Sequence, residues 1–257
     1  MNAPKHWKRY EDFAAGIDTN RLPASSALAG RGLRIEAASV TLDLAFVGDD
    51  RVDWRQGGES GHDACEVVEL APGLYFVDIV FAARPRDALT LILNLATGRT
   101  LSILSRVRPE PTPGEPQVEQ VFEAGIITGV AAIGEVPAPS RDLIGLRTFY
   151  RYSPNHLYEH TYLSSERYCW QCLEGEQRGH GDVDLATVYR FAPNQYVFAF
   201  REFKIPVASV FFINFEDGRS TGKFLGITGD GAVENRKAGA FLRRASRTFY
   251  DEAVEPV

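Results

Sequence analysis

The sequence predicts a mostly β protein: two tandem antiparallel β-barrels with a few short helices. Three observations lead there. Short runs rich in β-branched and aromatic residues recur about every 8–12 residues, as in all-β barrels. The second half of the chain repeats the order of the first. Helical spacing is confined to three short segments.

The strands come first. "VTLDLAFV", "HDACEVVEL", "LYFVDIVF" and "LTLILNL" lie in the first half; "LYEHTYL", "RYCWQC", "LATVYRF", "QYVFAFREF" and "SVFFINF" lie in the second. Their partial alternation is that of strands with one face buried. "ATGR" and "EDGR" read as hairpin turns with Gly at the left-handed position. "ELAPGLY" and "RFAPNQY" read as tight turns between strands. The expected helices are "EDFAAGI" (11–17), "EQVFEAG" (119–125) and "AGAFLRRASRTFYDEA" (238–253). The last has apolar residues at helical spacing and is expected to close the C-terminal barrel.

The repeat is read from matched residues. Ala71, Pro72 and Tyr75 match Ala192, Pro193 and Tyr196 at an offset of 121. Ala88, Asn94, Gly98 and Arg99 match Ala208, Asn214, Gly218 and Arg219 at an offset of 120. Arg51 and Trp54 match Arg167 and Trp170 at an offset of 116. Kept order with a drifting offset is the mark of duplicated halves with loop insertions. The join falls near "GEVPAPSRD", giving expected domains of 1–133 and 134–257. "RPEPTPGEPQ" (108–117) reads as an extended strap or linker.

Composition narrows the function classes. With 44% hydrophobic and 24% charged residues in 257, the chain has a globular composition. A net charge of −6 repels phosphate backbones, and the basic clusters "KHWKR" and "FLRRASR" read as solvated ends, so no nucleic-acid partner is expected. No apolar run reaches the ~18 residues of a membrane span. The start has no apolar stretch behind its charges, so it is not a secretory signal, and a cytoplasmic location is expected. Three cysteines are too few for a disulfide scaffold.

Cys169 and Cys172 in "YCWQC" invite a redox or metal reading. On a strand they lie roughly 10 Å apart and face opposite ways. A disulfide spans about 4.4–6.8 Å between Cα atoms. No helix start follows to activate a thiol. His160 and His180 are the nearby candidate ligands for a metal, and no second CxxC exists. The pair therefore reads as barrel wall, with Tyr168, Trp170 and Cys172 on one face, and neither a metal nor a cofactor is expected.

"YEHTYLSSERYCWQCLEGEQRGHGDVD" followed by "YVFAFREFKIPVASVFFINFEDGRSTGKFLG" resembles the C-terminal half of the MoaF-like family, molybdenum cofactor biosynthesis protein F. "NRLPASSALAGRGLRIE" is similar to the start of that family's N-terminal half. The resemblance implies a two-domain calycin, or lipocalin-like, fold. It does not assign an activity: the chain has no phosphate loop, pterin signature or suitably placed cysteine nucleophile.

The candidate site follows from how the halves differ. "VTLDLAF" stands where the second half has "LYEHTYL", and "DIVFAARP" where it has "AFREFKIP". Tyr158, His160 and Tyr162 share one strand face, and Trp170 offers a stacking wall. Arg201 and Glu202 face opposite ways, so one of them points inward. Bland readings stand beside these: a satisfied wall histidine, ordinary strand aromatics, an ion pair or rim charges. Glu166 and Arg167 read as an exposed turn, and Asp182 and Asp184 as a polar loop at the barrel mouth.

The first functional expectation is a small-molecule-binding protein with its pocket in the C-terminal barrel. The alternative is a cofactor-independent lyase, hydratase or isomerase for a small aromatic or carboxylated metabolite. There His160 would exchange the proton, Arg201 would clamp a carboxylate, Glu202 would assist, and Tyr158 and Tyr162 would orient the substrate. The apolar N-terminal half reads as scaffold or dimer surface, which leaves a homodimer open.

Overall fold

A computed structural model of the protein describes residues 7–254, 256 and 257. Lys5 and His6 of the N-terminal basic cluster lie outside the described residues. Two closed barrels of eight antiparallel strands follow one another in the chain. The first comprises β1 (Gly32–Ala37), β2 (Thr41–Phe46), β3 (Arg51–Gln56), β4 (Glu59–Ala71), β5 (Leu74–Val80), β6 (Asp87–Asn94), β7 (Arg99–Val107) and β8 (Val118–Ile127). Pairing of β1 with β8 closes it. A short β9 (Ala138–Pro139) precedes the second ring. That ring comprises β10 (Leu146–Ser153), β11 (His156–Tyr162), β12 (Arg167–Glu174), β13 (Gly181–Ala192), β14 (Gln195–Arg201), β15 (Val207–Asn214), β16 (Arg219–Ile227) and β17 (Val233–Arg247). Pairing of β17 with β10 closes it.

By compactness the chain divides into two units that cut across this order. One is Leu22–Arg106 with Gln120–Ala138; the other is the residues up to Arg21 with Val107–Glu119 and Pro139–Val257. The Pro-rich segment is thus the β7–β8 loop and groups with the C-terminal unit.

Two helix expectations are corrected. Residues 119–125 lie within strand β8, and 238–247 lie within strand β17. The C-terminal barrel is closed by a strand rather than by a helix. Without β17, both β10 and β16 would expose an unpaired edge. Ala238 and Ala240 point into the core while Phe241 and Arg243 point out, a period of two that the ladder enforces over helix propensity. The expected helix near residue 11 survives as one turn, α1 (Tyr10–Phe13).

The repeat is carried into atomic detail. In β3, Trp54 Nε1 donates to Asp63 Oδ2 of β4 (2.7 Å), and the Ala82 amide just after β5 donates to Asp63 Oδ1 (2.9 Å). In β12, Trp170 Nε1 donates to Asp184 Oδ2 of β13 (2.9 Å), and the Phe203 amide after β14 donates to Asp184 Oδ1 (3.1 Å). The β4–β5 turn uses Gly73 at φ 75°, and its counterpart uses Asn194 at φ 60°. Asn is the non-glycine residue that best tolerates that region.

Each brace satisfies two buried donors with one carboxylate. Truncation by Asp63→Ala strands both, at about 1–3 kcal/mol per orphaned group. Urea unfolding should show a loss of about 2–6 kcal/mol. Asp63→Asn, which keeps one acceptor oxygen, should recover part of it.

Candidate functional site

The C-terminal barrel interior is built from the inward positions of its strands. Tyr158, His160 and Tyr162 come from β11, Tyr168 and Trp170 from β12, and Phe198 and Phe200 from β14. The register places His160 opposite Trp170, Tyr158 opposite Cys172 and Tyr162 opposite Tyr168. In the first barrel, Leu44 stands opposite Trp54, Leu42 opposite Gln56 and Phe46 opposite Val52. His160 therefore takes the place of Leu44, and Tyr158 and Tyr162 take those of Leu42 and Phe46. The same reasoning across β13–β14 and β4–β5 aligns Phe200 with Ile79 and Glu202 with Phe81.

Some of these polar groups are satisfied. The Tyr150 and Tyr162 hydroxyls share a 2.5 Å hydrogen bond, and Tyr158 donates to Gln177 Oε1 at 2.9 Å. Others are not. His160 is 3% exposed, stacks on Tyr150 at 4.2 Å between ring centroids, and its Nδ1 has no hydrogen-bond partner among the described residues. Burial pulls its pKa down to about 3, so the ring is neutral at neutral pH. Glu202 is 7% exposed, with no hydrogen bond or ion pair to its carboxyl among the described residues. Burial raises its pKa well above the usual value; the nearby Asp184 and Asp182 add to that, and the Lys204 ammonium opposes it.

Asp184, expected in a polar loop, is a buried residue of β13. Burial raises its pKa to about 6, against the pull of its bonds from Trp170 and the Phe203 amide. Asp182 also lies on β13 and pairs with Lys204 at 2.7 Å. Arg201 faces the other way from Glu202, and its Nη2 donates to Thr187 Oγ1 at 2.9 Å. It does not line the cavity. The two do not form an ion pair with each other.

The cavity among these residues measures about 30 Å³. One water needs at least about 10–15 Å³ on this measure, so it has room for one or two. His160, Tyr158, Trp170 and Glu202 all line it, as do Tyr168 and Gln177. Tyr162 does not; it sits deeper, against Tyr150. Two further lining residues, Phe13 and Ile17, come from the N-terminal segment that covers the mouth. Tyr10 holds that segment by donating to the Phe224 carbonyl at 2.9 Å, and Glu11 accepts the Gly229 amide at 3.1 Å. The equivalent end of the first barrel, marked by Leu42 and Phe81, is open over about 230 Å³.

Cys169 and Cys172 are free and on opposite faces, and burial raises both thiol pKa values, so neither is activated. No group of three or more metal-ligating side chains occurs among the described residues. No helix among them is long and apolar enough to cross a membrane.

A tandem of two closed eight-stranded barrels, with tyrosines, a histidine and a glutamate in the second at positions that are apolar in the first, is the class this geometry defines. Comparison with known proteins names it. Residues 5–109 match the MoaF N-terminal domain and residues 137–248 the MoaF C-terminal domain. The chain belongs to the MoaF family. It is 31% identical over 195 residues to Protein MoaF of Klebsiella aerogenes, covering 71% of this chain and 74% of that protein. Among solved structures, a "putative beta-lactamase" from Burkholderia vietnamiensis aligns at 16% identity. It covers 40% of this chain and 95% of its own, and its TM-score of 0.35 is too low to bear on fold or function.

The buried carboxyls set a pH dependence. An unfolded chain releases their protons from about pH 4 upward, whereas the native chain holds that of Asp184 to about 6 and that of Glu202 well above the ordinary carboxylate range. The unfolded state then binds fewer protons, so native stability falls as pH rises through this window. Glu202→Gln removes one share. Its urea midpoint should drop less than that of the wild type between about pH 5 and about pH 8. Equal drops would mean that Glu202 is already ionised in the native protein.

Proposed function

We propose that this protein binds a small molecule in the interior of its C-terminal barrel. One observation carries the reading. The first barrel folds with Leu42, Leu44 and Phe81 at the positions where the second has Tyr158, His160 and Glu202. The fold therefore does not need these polar groups; His160 Nδ1 is buried without a partner among the described residues, and Glu202, 7% exposed, lines the cavity beside it. Unpartnered buried polar groups destabilise a core, and proteins keep them chiefly where they serve a site.

Size sets a condition. Ligand pockets run to about 300–1,000 Å³, far more than the present 30 Å³. Phe13 and Ile17 must withdraw for a ligand to enter. The enzymatic alternative is less well supported. It asks His160 to exchange a proton near neutral pH, where burial keeps the ring neutral, and it uses Arg201, which lies outside the cavity.

The test is a double change to the first barrel's residues, His160→Leu with Glu202→Phe. Thermal-shift and calorimetric screens of neutral, cationic and anionic small molecules are run on the full chain and on this variant. At least one class should stabilise the wild type, and the variant should bind none of it while melting no lower than the wild type. Equal binding by both proteins, or no binding by either, would overturn the reading.

A further inference from the structure

We infer that the C-terminal barrel takes a small organic cation, an amine or alkylated ammonium, held between Glu202 and the faces of the surrounding aromatic rings. This rests on the binding reading above and adds the charge of the ligand: Glu202, which burial holds neutral while the barrel is closed on itself, ionises as the cation takes its place beside it, and its proton leaves to solvent. Glu202 is the carboxyl among the cavity-lining residues, and no Arg or Lys is among them. Tyr152, Tyr158, Tyr168, Trp170, Phe200 and Phe224 line the same space. Aromatic faces carry negative potential and attract a desolvated cation; rings grouped around a site are how quaternary ammonium ligands are recognised.

The alternatives fit less well. An anion would enter beside Glu202, with Asp184 and Asp182 behind it. Neither nearby cation lines the cavity: Arg201 bonds Thr187, and Lys204, whose charge is felt at Glu202, pairs with Asp182 and lies over the Trp7 ring at 4.3 Å. A neutral apolar ligand has no use for Glu202, because Phe81 fills that position in the first barrel. The indole of Trp170 is held in place by its bond to Asp184, so part of the ring set is fixed before a ligand arrives.

Three probes of one shape and different charge decide it: benzylamine, benzyl alcohol and benzoate. They are titrated calorimetrically into the full-length wild type and Phe13→Ala. Phe13→Ala removes a phenyl ring from the cavity lining and leaves space for a ring of that size. In Phe13→Ala, benzylamine should bind at least about tenfold more tightly than benzyl alcohol, and benzoate should not bind. The wild type should keep the same order at lower affinity. Adding Glu202→Gln should bring the amine to the level of the alcohol and leave the alcohol unchanged. Alcohol or benzoate binding as tightly as the amine would overturn the cation while leaving the binding reading intact. An amine preference that survives Glu202→Gln would also overturn it. No binding by any probe to either protein would overturn both. Should Phe13→Ala not fold, Ile17→Ala opens the same cavity, and tetramethylammonium against tert-butanol gives the same comparison.

Discussion

Closure of an eight-stranded antiparallel sheet is the constraint on which the rest of each unit depends. A closed ring has no edge, and its period of two sends every second residue inward. An eight-stranded ring is just wide enough for those side chains to fill it. Whatever points inward is cut off from water and must be apolar or partnered. The Trp–Asp–amide brace meets this demand in each barrel, with one carboxylate satisfying an indole and a backbone amide from a third strand's end. Its two residues occupy the same register in both copies, so it belongs to the architecture.

Because both copies obey the same constraint, a position where they differ is one the constraint leaves free. Tyr162 for Phe46 is a difference the core absorbs, since Tyr150 accepts or donates the new hydroxyl bond. Tyr158 for Leu42 is absorbed through Gln177. His160 for Leu44 is not absorbed, and Glu202 for Phe81 is left lining the cavity. The gradient from satisfied to unsatisfied separates residues that explain themselves by packing from residues that do not. Neutralisation is the route open to both unsatisfied groups, and burial drives each of them to its uncharged form.

The sequence made the strands legible because alternation survives in one copy where it fades in the other. Pro72 with Pro193 and Trp54 with Trp170 anchored the alignment of the halves. The stretch 238–253 misled because Ala, Leu and Arg are good helix formers, and a strand with small inward residues also satisfies a loose helical pattern. Only the need to pair β10 and β16 decides between them, and that need is not local. Tyr158, His160 and Trp170 were legible as inward residues. Which of Arg201 and Glu202 faced inward was not read, although the repeat held the answer: an offset of 121 sets Glu202 on the buried Phe81. Phe13 and Ile17 were missed as cavity residues because they reach the barrel from the far end of its sequence. Gln177 was missed because nothing local marks a turn glutamine as buried.

The N-terminal segment follows from the same physics. A single helical turn cannot hold itself together, since nucleation alone is unfavourable. α1 is therefore ordered by what it docks on: the Tyr10 bond to Phe224, the Glu11 bond to Gly229, and the burial of Phe13 and Ile17. These contacts offset the ordering of about a dozen residues, each of which loses about 1–2 kcal/mol of backbone entropy. The balance is a small difference between two comparable terms. Such a segment can leave without breaking any ladder between the barrel's strands. Any ligand of the interior meets its affinity scaled by the fraction of molecules in which Phe13 has left the cavity. The two barrels thus meet one constraint differently. The first surrounds its interior with apolar side chains and leaves one end open over about 230 Å³. The second leaves its polar centre to be closed by a piece of chain that its own ladder does not hold.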